Sequence, residues 1–517
     1  MLRQIRVFNI VLIGMILFMM GVFVNSKEGF HRDELLSYES ANASGTVGRI
    51  YEILEDTSVR WISKEDVTRA LTVGEDDYSD YSSAMAYSYT DVNPPLYRIL
   101  LHMFSCLFTG ELNKWVGCGL NMCFLLGTLI LLVRMCDDVL RHPKLSPYCI
   151  ALYGFSVGTI NGVLVTKPYM MVAFCVMWTL YEFGLFWTRN EERKSGVRLA
   201  FAIIIGMWTQ FFYTGFLLIL AVMFVAGMLL SKRKFELRRF TIHASCAVFV
   251  GAAGIFANDW IFNRRNLAAS VLWEHLSELD WTLTPWEIAW LYLGNTFGSP
   301  WAGLALMFLF VTVGILCIIG RKFNVSKDHY YLPLMLLVPC LVYIYYLTGE
   351  ASCYSDRYLL SCIPVFQLLL VWGIGKFLDL LPLREQSRMW IMSVSISFLM
   401  IPGIIFSTPE YLMQGFGEKE EVAEEYADFR CIYVGEDVYN NMTEMMYFSQ
   451  TMVVTPQQLQ RIPEDARLNE SDVVLVMIED GQENNVIIDY IRTTYMYSSV
   501  DGFMEAVDGT QYYYLAR

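Results

Sequence analysis

Long apolar runs recur along the chain as far as residue 406. A helix that crosses the hydrocarbon core of a bilayer needs about 20 apolar residues. Runs close to this length lie near residues 7–24, 115–133, 148–165, 169–187, 199–212, 214–230, 240–257, 301–320, 331–347, 358–378 and 389–406. The pattern predicts an all-α polytopic membrane protein with about eleven transmembrane helices.

After Ser407 the pattern becomes that of a soluble domain. Short apolar runs there alternate with helix-like stretches near 437–448 and 482–492. The short runs are CIYV (431–434), MVV (452–454), VVLVMI (473–478) and YYYLA (512–516). We therefore predict two domains: a membrane-embedded domain over 1–406, with a first outer loop at 25–113, and a small α/β domain over 407–517.

Composition supports the membrane assignment and excludes one class of partner. Hydrophobic residues make up 55% of the chain and charged residues only 17%. The formal net charge is -14, and most of the acidic residues lie in 25–92 and 407–517. Nucleic-acid binding needs clustered Lys and Arg on an accessible face, so nucleic acid is excluded as a partner.

Basic residues concentrate in five short connectors between the apolar runs. These connectors are 134–144, 189–198, 232–239, 321–327 and 376–388. Lys and Arg are retained on the cytoplasmic side of a membrane, and all five connectors fall on one side of the predicted count. The pattern predicts a multi-pass plasma-membrane protein with a cytoplasmic N-terminus and an extracytoplasmic C-terminal domain. It requires that segment 95–108 lies in the outer interface as an amphipathic helix rather than crossing.

The first outer loop opens with GFHRDELLSYESA, which places His31, Asp33, Glu34 and Tyr38 close to the outer membrane surface. Adjacent carboxylates can share a divalent cation, or one can act as a base while the other orients it. The alternative is that these are solvated loop acids.

The run DVNPPLYRILLH begins the predicted interfacial helix. Two consecutive prolines fix an extended entry and start a helix cleanly, which alone explains them. Asp91 and Asn93 then face the outer water. His102 is a candidate ligand or acid, and the alternative is a hydrogen-bonded packing residue.

Several cations and tyrosines fall on the predicted outer side at headgroup depth. They are Lys167 and Tyr169 in the hairpin VTKPYMM, Arg264 and Arg265 after the 240–257 run, and Arg357 with Tyr358 at the start of the 358–378 run. Arg suits bidentate phosphate contacts and Lys suits point-charge contacts. The alternative is that they anchor helix ends at the interface.

Taken in order along residues 1 to 375, these motifs resemble those of a known family. The motifs are an outer Asp-Glu just after the first helix, a Pro-Pro-Leu-Tyr helix ending in Leu-Leu-His, a cation-Pro-Tyr hairpin and an Arg-Tyr-Leu-Leu helix start. This order resembles the GT-C superfamily of integral membrane glycosyltransferases. It is most similar to the family 39 branch, which contains protein O-mannosyltransferases, aminoarabinose transferases and bacterial relatives.

The resemblance implies a sugar donor carried on polyprenyl phosphate, an acceptor at the outer face and an inverting transfer. It assigns Asp33, with Glu34 beside it, as base or acceptor-binding residue. It assigns the donor phosphate to Lys167 and Arg357 by motif, while Arg264 and Arg265 enter by location only. Relatives commonly carry His or Lys where this chain has Asn93, so a metal or phosphate role at that position is not implied.

The remaining candidates are assigned to substrate binding. They are His31, Tyr38, Asp91, Asn93, Tyr97, His102, Tyr169 and Tyr358. No cofactor is required, because Arg and Lys can neutralise a leaving phosphate. If a divalent metal ion binds, His31 and Asp91 are the best candidate ligands.

The leading hypothesis is a glycosyltransferase that modifies an envelope glycan, lipid or protein. A transporter or flippase of a lipid-linked sugar is the first alternative, but transporters usually place ionisable residues near mid-membrane between repeated halves. The apolar runs here hold few charges and show no inverted repeat. The second alternative is a non-catalytic envelope scaffold on the same fold, which would tolerate loss of the Asp33 carboxylate.

Overall fold

The protein is described by a computed structural model. It covers residues 2–43, 50, 61–86, 94–188, 193–210, 213–230, 234–256, 285–297, 327–350, 356–381, 383–459 and 466–517. Four candidate site residues, Asp91, Asn93, Arg264 and Arg265, lie outside the described residues, as does the predicted span at 301–320. The backbone of Tyr358 is described but its side chain is not.

Helices make up most of the described chain. In chain order the α-helices are α1 Leu2–Asn25, α2 Arg32–Asn42, α3 Lys64–Leu71, α4 Ser82–Ala86, α5 Leu96–Ser105, α6 Lys114–Arg134, α7 Ser146–Gly154, α8 Val157–Leu164, α9 Tyr169–Thr188, α10 Arg193–Thr209, α11 Tyr213–Leu230, α12 Lys234–Phe256, α13 Pro285–Phe297, α14 Lys327–Glu350, α15 Ile363–Leu380, α16 Glu385–Phe406, α17 Gly417–Glu425, α18 Met442–Met445, α19 Pro456–Leu459, α20 Ala466–Asn469 and α21 Asn484–Tyr495. The strands are β1 Trp61–Ser63, β2 Arg430–Val434, β3 Gln450–Val454, β4 Val473–Ile478, β5 Ser499–Glu505 and β6 Gln511–Ala516.

The chain forms two compact units. The first, which we call the helical unit, comprises Met1–Asn25, Tyr87–Tyr97 and Cys118–Glu410. The second, which we call the α/β unit, comprises Ser26–Ala86, Arg98–Gly117 and Tyr411–Arg517. The sequence predicts that the first outer loop belongs to the membrane domain. Of its described residues, 26–43, 50, 61–86 and 98–113 cluster with residues 411–517.

Helices of membrane-spanning length are present in the helical unit. Within the described residues, four helical segments are long and apolar enough to cross a bilayer: Arg3–Asn25, Lys114–Val139, Tyr169–Thr188 and Tyr213–Leu230. Shorter apolar helices lie at Gly196–Thr209, Phe240–Ala253 and Tyr331–Ile344. These agree in position with predicted runs, and the protein is an integral membrane protein. The total of eleven crossings stays a prediction.

The run at 148–165, which the sequence presents as one apolar stretch, is broken. Helices Pro143–Gly154 and Val157–Leu164 are bent by 59° relative to each other. Ser156 lies at the break, where its hydroxyl accepts a hydrogen bond from Thr159 N and donates one to Tyr153 O at 2.8 Å. A side chain that caps a new helix satisfies backbone groups which a continuous helix would pair internally, so it favours the break.

The α/β unit is built on a six-stranded sheet with the order β1-β3-β2-β4-β6-β5. Strands β3, β2 and β4 are parallel, while β6, β5 and β1 pair antiparallel with their neighbours. The four runs predicted after Ser407 all form strands. The sequence does not predict strand β5, because nearly all of its residues are exposed and form no apolar run. Strand β1 belongs to the first outer loop and was not among the predicted strands.

Candidate functional site

The carboxylate motif of the first outer loop forms the start of α2. His31 is the N-cap, and its Nδ1 accepts a hydrogen bond from Asp33 N at 3.2 Å. The Glu34 carboxylate in turn accepts from His31 N at 2.8 Å. This reciprocal capping satisfies two backbone donors that would otherwise have no helical partner. The motif therefore determines where the helix begins.

Glu34 is held inside the α/β unit by an ion pair. Lys27 Nζ lies 2.9 Å from Glu34 Oε2, and both side chains are fully buried. The same ammonium donates to Tyr411 O at 2.8 Å. A buried carboxylate with a paired cation and a backbone donor is fully engaged, so Glu34 suits a role in positioning α2.

Asp33 has different surroundings. Its carboxylate is one-fifth exposed and lies 3.9 Å from His31 Nδ1. It is located in the first turn of α2, where the helix dipole favours negative charge. The two adjacent acids are therefore unequal: Asp33 can meet a substrate, whereas Glu34 is buried beside it.

Two other candidates from this region make structural contacts. The Tyr38 hydroxyl donates to Asn113 O at 3.0 Å and accepts from Gly117 N at 3.0 Å. His102 is fully buried in α5, with Nδ1 3.1 Å from Ala41 O. These contacts favour the packing alternative for His102, and a substrate role for either residue stays a prediction.

A cavity of about 260 Å³ adjoins the start of α2 within the α/β unit. It is lined by Phe30, His31, Arg32, Met413, Phe416, Asn440, Glu479, Asp480, Asp508 and Thr510. Glu479 follows β4, where it accepts from Glu436 N at 2.7 Å and from Asn440 Nδ2 at 2.9 Å. Ligands of open α/β sheets bind outside the carboxyl ends of parallel strands. Of the lining residues, the sequence singled out His31 but not Glu479 or Asp480, although acids directly after an apolar run were a usable signal.

The Lys167 hairpin of the helical unit is anchored by Asn121, a fully buried residue of α6. Its amide nitrogen donates to Gly162 O at 3.3 Å and to Val165 O at 2.7 Å, and its Oδ1 accepts from Tyr97 OH at 3.3 Å. An amide that satisfies several carbonyls at a helix end holds the following turn in place. Sequence analysis passed over Asn121 because it lies within an apolar run.

Arg357 lies in a 3₁₀ turn, Asp356–Ser361, that packs against α8 and α9. A Cβ at Gly158 would come within 3.3 Å of Leu360 Cδ2, which shows how closely the turn approaches α8. Lys167 lies between α8 and α9, and buried Tyr169 begins α9. The structure thus brings the elements that carry Lys167, Tyr169 and Arg357 together within the helical unit.

The sequence does not decide whether a divalent metal ion binds. Among the residues that the structure describes, no group of three or more His, Cys, Asp or Glu side chains is arranged to hold a metal ion. Of the two suggested ligands, His31 uses its Nδ1 in the helix cap, and Asp91 lies outside the described residues.

Comparison with known proteins establishes a likeness of fold. The sequence matches no family profile and no curated protein. The crystal structure of ArnT from Cupriavidus metallidurans bound to undecaprenyl phosphate aligns with a TM-score of 0.58 at 11% identity, covering 98% of this chain and 97% of that chain. The apo crystal structure of the same ArnT aligns with a TM-score of 0.50 at 11% identity, covering 93% and 95%.

Proposed function

We propose, from the premise that the chain has the GT-C fold, that it transfers a sugar from a polyprenyl-phosphate donor to a cell-envelope acceptor at the outer face of the membrane. The observation that carries this proposal is the likeness of fold over 98% of the chain to a protein crystallised with undecaprenyl phosphate. Function resides in sites rather than in folds, so the residues must support the chemistry independently.

Asp33 is the proposed base. In an inverting transfer the acceptor hydroxyl attacks the anomeric carbon, a carboxylate takes the hydroxyl proton, and the polyprenyl phosphate leaves with the bonding electrons. The partial exposure of Asp33 and the engagement of Glu34 by Lys27 support this division of roles. A low dielectric constant near the membrane strengthens the interaction of the carboxylate with the acceptor proton and of cations with the leaving phosphate.

Lys167 and Arg357 are the proposed partners of the donor phosphate. A fixed cation stabilises negative charge as it develops on the leaving phosphate, which lowers the barrier without a metal ion. The turn that carries Arg357 packs against α8 and α9, the helices on either side of Lys167, and this supports a shared role. Arg264 and Arg265 remain candidates by location. The assignment of a base and of phosphate partners to the same reaction rests on the resemblance.

Substitution of the base is the direct test. Asp33→Asn removes the proton acceptor at almost constant size, and we expect the transfer rate to fall by about 10²–10⁴-fold with an unchanged thermal unfolding midpoint. The assay follows labelled sugar from a polyprenyl-phosphate donor into envelope acceptors in proteoliposomes. Asp76→Asn, an exposed acid of the same loop, is the matched control. Undiminished transfer by purified Asp33→Asn protein would exclude Asp33 as the base.

The donor side is tested by Arg357→Ala. Loss of a charge-assisted contact to phosphate should raise the KM for the donor by about tenfold or more and leave the KM for the acceptor nearly unchanged. Arg384→Ala removes an exposed cation of the same unit and serves as the control. Equal changes for donor and acceptor would remove the phosphate role.

A further inference from the structure

A second cavity lies in the helical unit, and none of the residues assigned to transfer lines it. Its volume is about 500 Å³, and its walls come from two segments far apart in sequence, 141–145 and 375–392. Both walls derive from basic connectors that the sequence analysis assigned to the cytoplasmic side. Two of the five predicted cytoplasmic connectors therefore meet around one space.

The carboxylates of this cavity are already paired. Lys144 Nζ forms an ion pair with Glu385 Oε1, and Arg388 Nη1 lies 2.8 Å from Asp379 Oδ1. Arg388 Nε also donates to Leu383 O at 3.1 Å. Each acid thus has one cation beside it, which neutralises the negative charge of the lining.

Among the described residues, two further cations of the lining have no acid beside them. Lys376 Nζ lies 2.7 Å from His142 Nε2, and an ammonium group can only donate in such a contact. Within the described part of the chain, neither Lys376 nor Arg141 has a carboxylate within 4.0 Å. Arg141 also adopts a positive φ of 57°, which is uncommon for a residue with a side chain. The cavity therefore has a net positive charge.

We propose that this cavity binds a phosphate group, with Lys376 and Arg141 as the binding cations. Arg and Lys are the usual phosphate ligands of proteins, and basic pockets between helices at the cytoplasmic surface hold anionic lipid headgroups. Leu145, Leu378 and Met392 supply apolar surface beside the charges, which fits the glycerol and acyl part of a lipid. The phosphate is carried by an anionic phospholipid or is a free phosphate, and the two are separated by experiment.

The test is ligand-dependent thermal unfolding of the full-length protein purified in neutral detergent. One arm titrates phosphatidylglycerol, the second titrates inorganic phosphate, and the third titrates zwitterionic phosphatidylcholine. A ligand that binds only the folded protein raises the unfolding midpoint. We expect phosphatidylglycerol to raise it and phosphatidylcholine to have little effect. A rise with inorganic phosphate alone would assign the site to a free phosphate.

Variants locate the effect in the cavity. Arg141→Gln with Lys376→Gln should weaken binding by about tenfold or more, since each cation near the surface contributes on the order of 1 kcal/mol, about fivefold. Arg134→Gln removes an exposed cation of the same connector that does not line the cavity, and it should keep the full shift. If the double variant does not fold, the exposed Arg141→Gln single variant is measured in its place.

The proposal is overturned if neither phosphatidylglycerol nor inorganic phosphate shifts the unfolding midpoint of the unsubstituted protein. It is equally overturned if the cavity variants keep the full shift, because the binding would then reflect the basic surface as a whole. The readout uses no transfer activity, so its outcome is independent of the proposed catalytic role of Asp33.

Discussion

Neighbouring residues of the same chemical type can have different tasks, and Asp33 and Glu34 are an example. Glu34 is buried and faces the ammonium of Lys27, whereas Asp33 keeps contact with solvent. A buried carboxylate is costly unless a cation and hydrogen bonds compensate it. Because Lys27 compensates the buried charge of Glu34, Glu34 stabilises the fold, whereas the carboxylate of Asp33 stays accessible to a ligand.

This division predicts that substitutions of Lys27 or Glu34 lower the stability of the protein, whereas substitution of Asp33 lowers the transfer rate. Removal of one partner of a buried ion pair leaves an uncompensated charge and costs about 3–5 kcal/mol. Lys27→Met and Glu34→Leu should therefore each lower the unfolding midpoint of the protein strongly. The double variant should recover most of the loss, because no unpaired charge remains. Single variants that unfold like the unsubstituted protein would show that the pair does not hold α2.

A pH-dependent prediction concerns Glu420 in α17. Burial, and then the nearby Glu444, raise the pKa of its carboxyl, and Lys114 opposes them. A folded-state pKa above the unfolded value means that ionisation penalises the folded state. The stabilising contribution is complete below the unfolded pKa and is lost as pH rises through the folded pKa.

Glu420→Gln should accordingly raise the unfolding midpoint at pH 7 to 8 and bring no gain near pH 4. Glu418→Gln, an exposed neighbour on the same helix, is the control. Thermal unfolding across this pH range measures the difference. A gain that is constant with pH would contradict the assignment to the carboxyl charge.

At the scale of elements, a three-residue strand from the first outer loop completes the sheet of the α/β unit. Trp61 of β1 pairs with Met452 of β3 and lies in the hydrophobic core of the sheet. The guanidinium of Arg467 lies 5.4 Å from its ring centroid. The loop strand thus contributes both backbone pairing and core volume to residues nearly four hundred positions later.

Trp61→Ala should destabilise the α/β unit by about 3–5 kcal/mol, as expected for truncation of a large buried aromatic side chain. Trp115→Ala, which removes a more exposed tryptophan (38%) of the same unit, is the matched control and should cost much less. Limited proteolysis of 411–517 reports the stability of the unit. Equal protection in both variants would show that β1 is dispensable.

At the scale of the whole molecule, the sidedness of the membrane arrangement decides whether the proposed chemistry can occur. The polyprenyl-phosphate mechanism needs the first outer loop on the extracytoplasmic side, and the phosphate cavity needs residues 141–145 and 375–392 on the other. The distribution of Lys and Arg among the connectors predicts both placements.

Cysteine labelling tests this arrangement. Asp480→Cys and Gln386→Cys each introduce a thiol at an exposed position. A membrane-impermeant thiol reagent added to intact cells should label residue 480 and should label residue 386 only after the cells are opened. The unsubstituted protein measures labelling of its own cysteines. Protection of residue 480 in intact cells would invert the topology and contradict both proposals.

The sequence by itself determined the positions of most described apolar helices, four of the five strands after Ser407 and the motif order that resembles the GT-C superfamily. These features are local: a run of apolar residues partitions into lipid, and a short β-branched run forms a strand, whichever neighbours it later meets. The same holds for the cap of α2, because His31 and Glu34 are three positions apart. The order of motifs needed no knowledge of contacts.

Only the tertiary structure decided which of these polar residues are buried and paired and which stay accessible. Lys27 beside Glu34, Asn121 beneath the Lys167 hairpin, β1 in the C-terminal sheet and His142 against Lys376 all depend on the path of the chain. Burial and pairing between positions distant in sequence set the free energy of a charged or polar side chain, and no local pattern encodes them. The sequence therefore shows which charged and polar side chains are present, and the fold determines which of them are buried in ion pairs and which can contact a ligand.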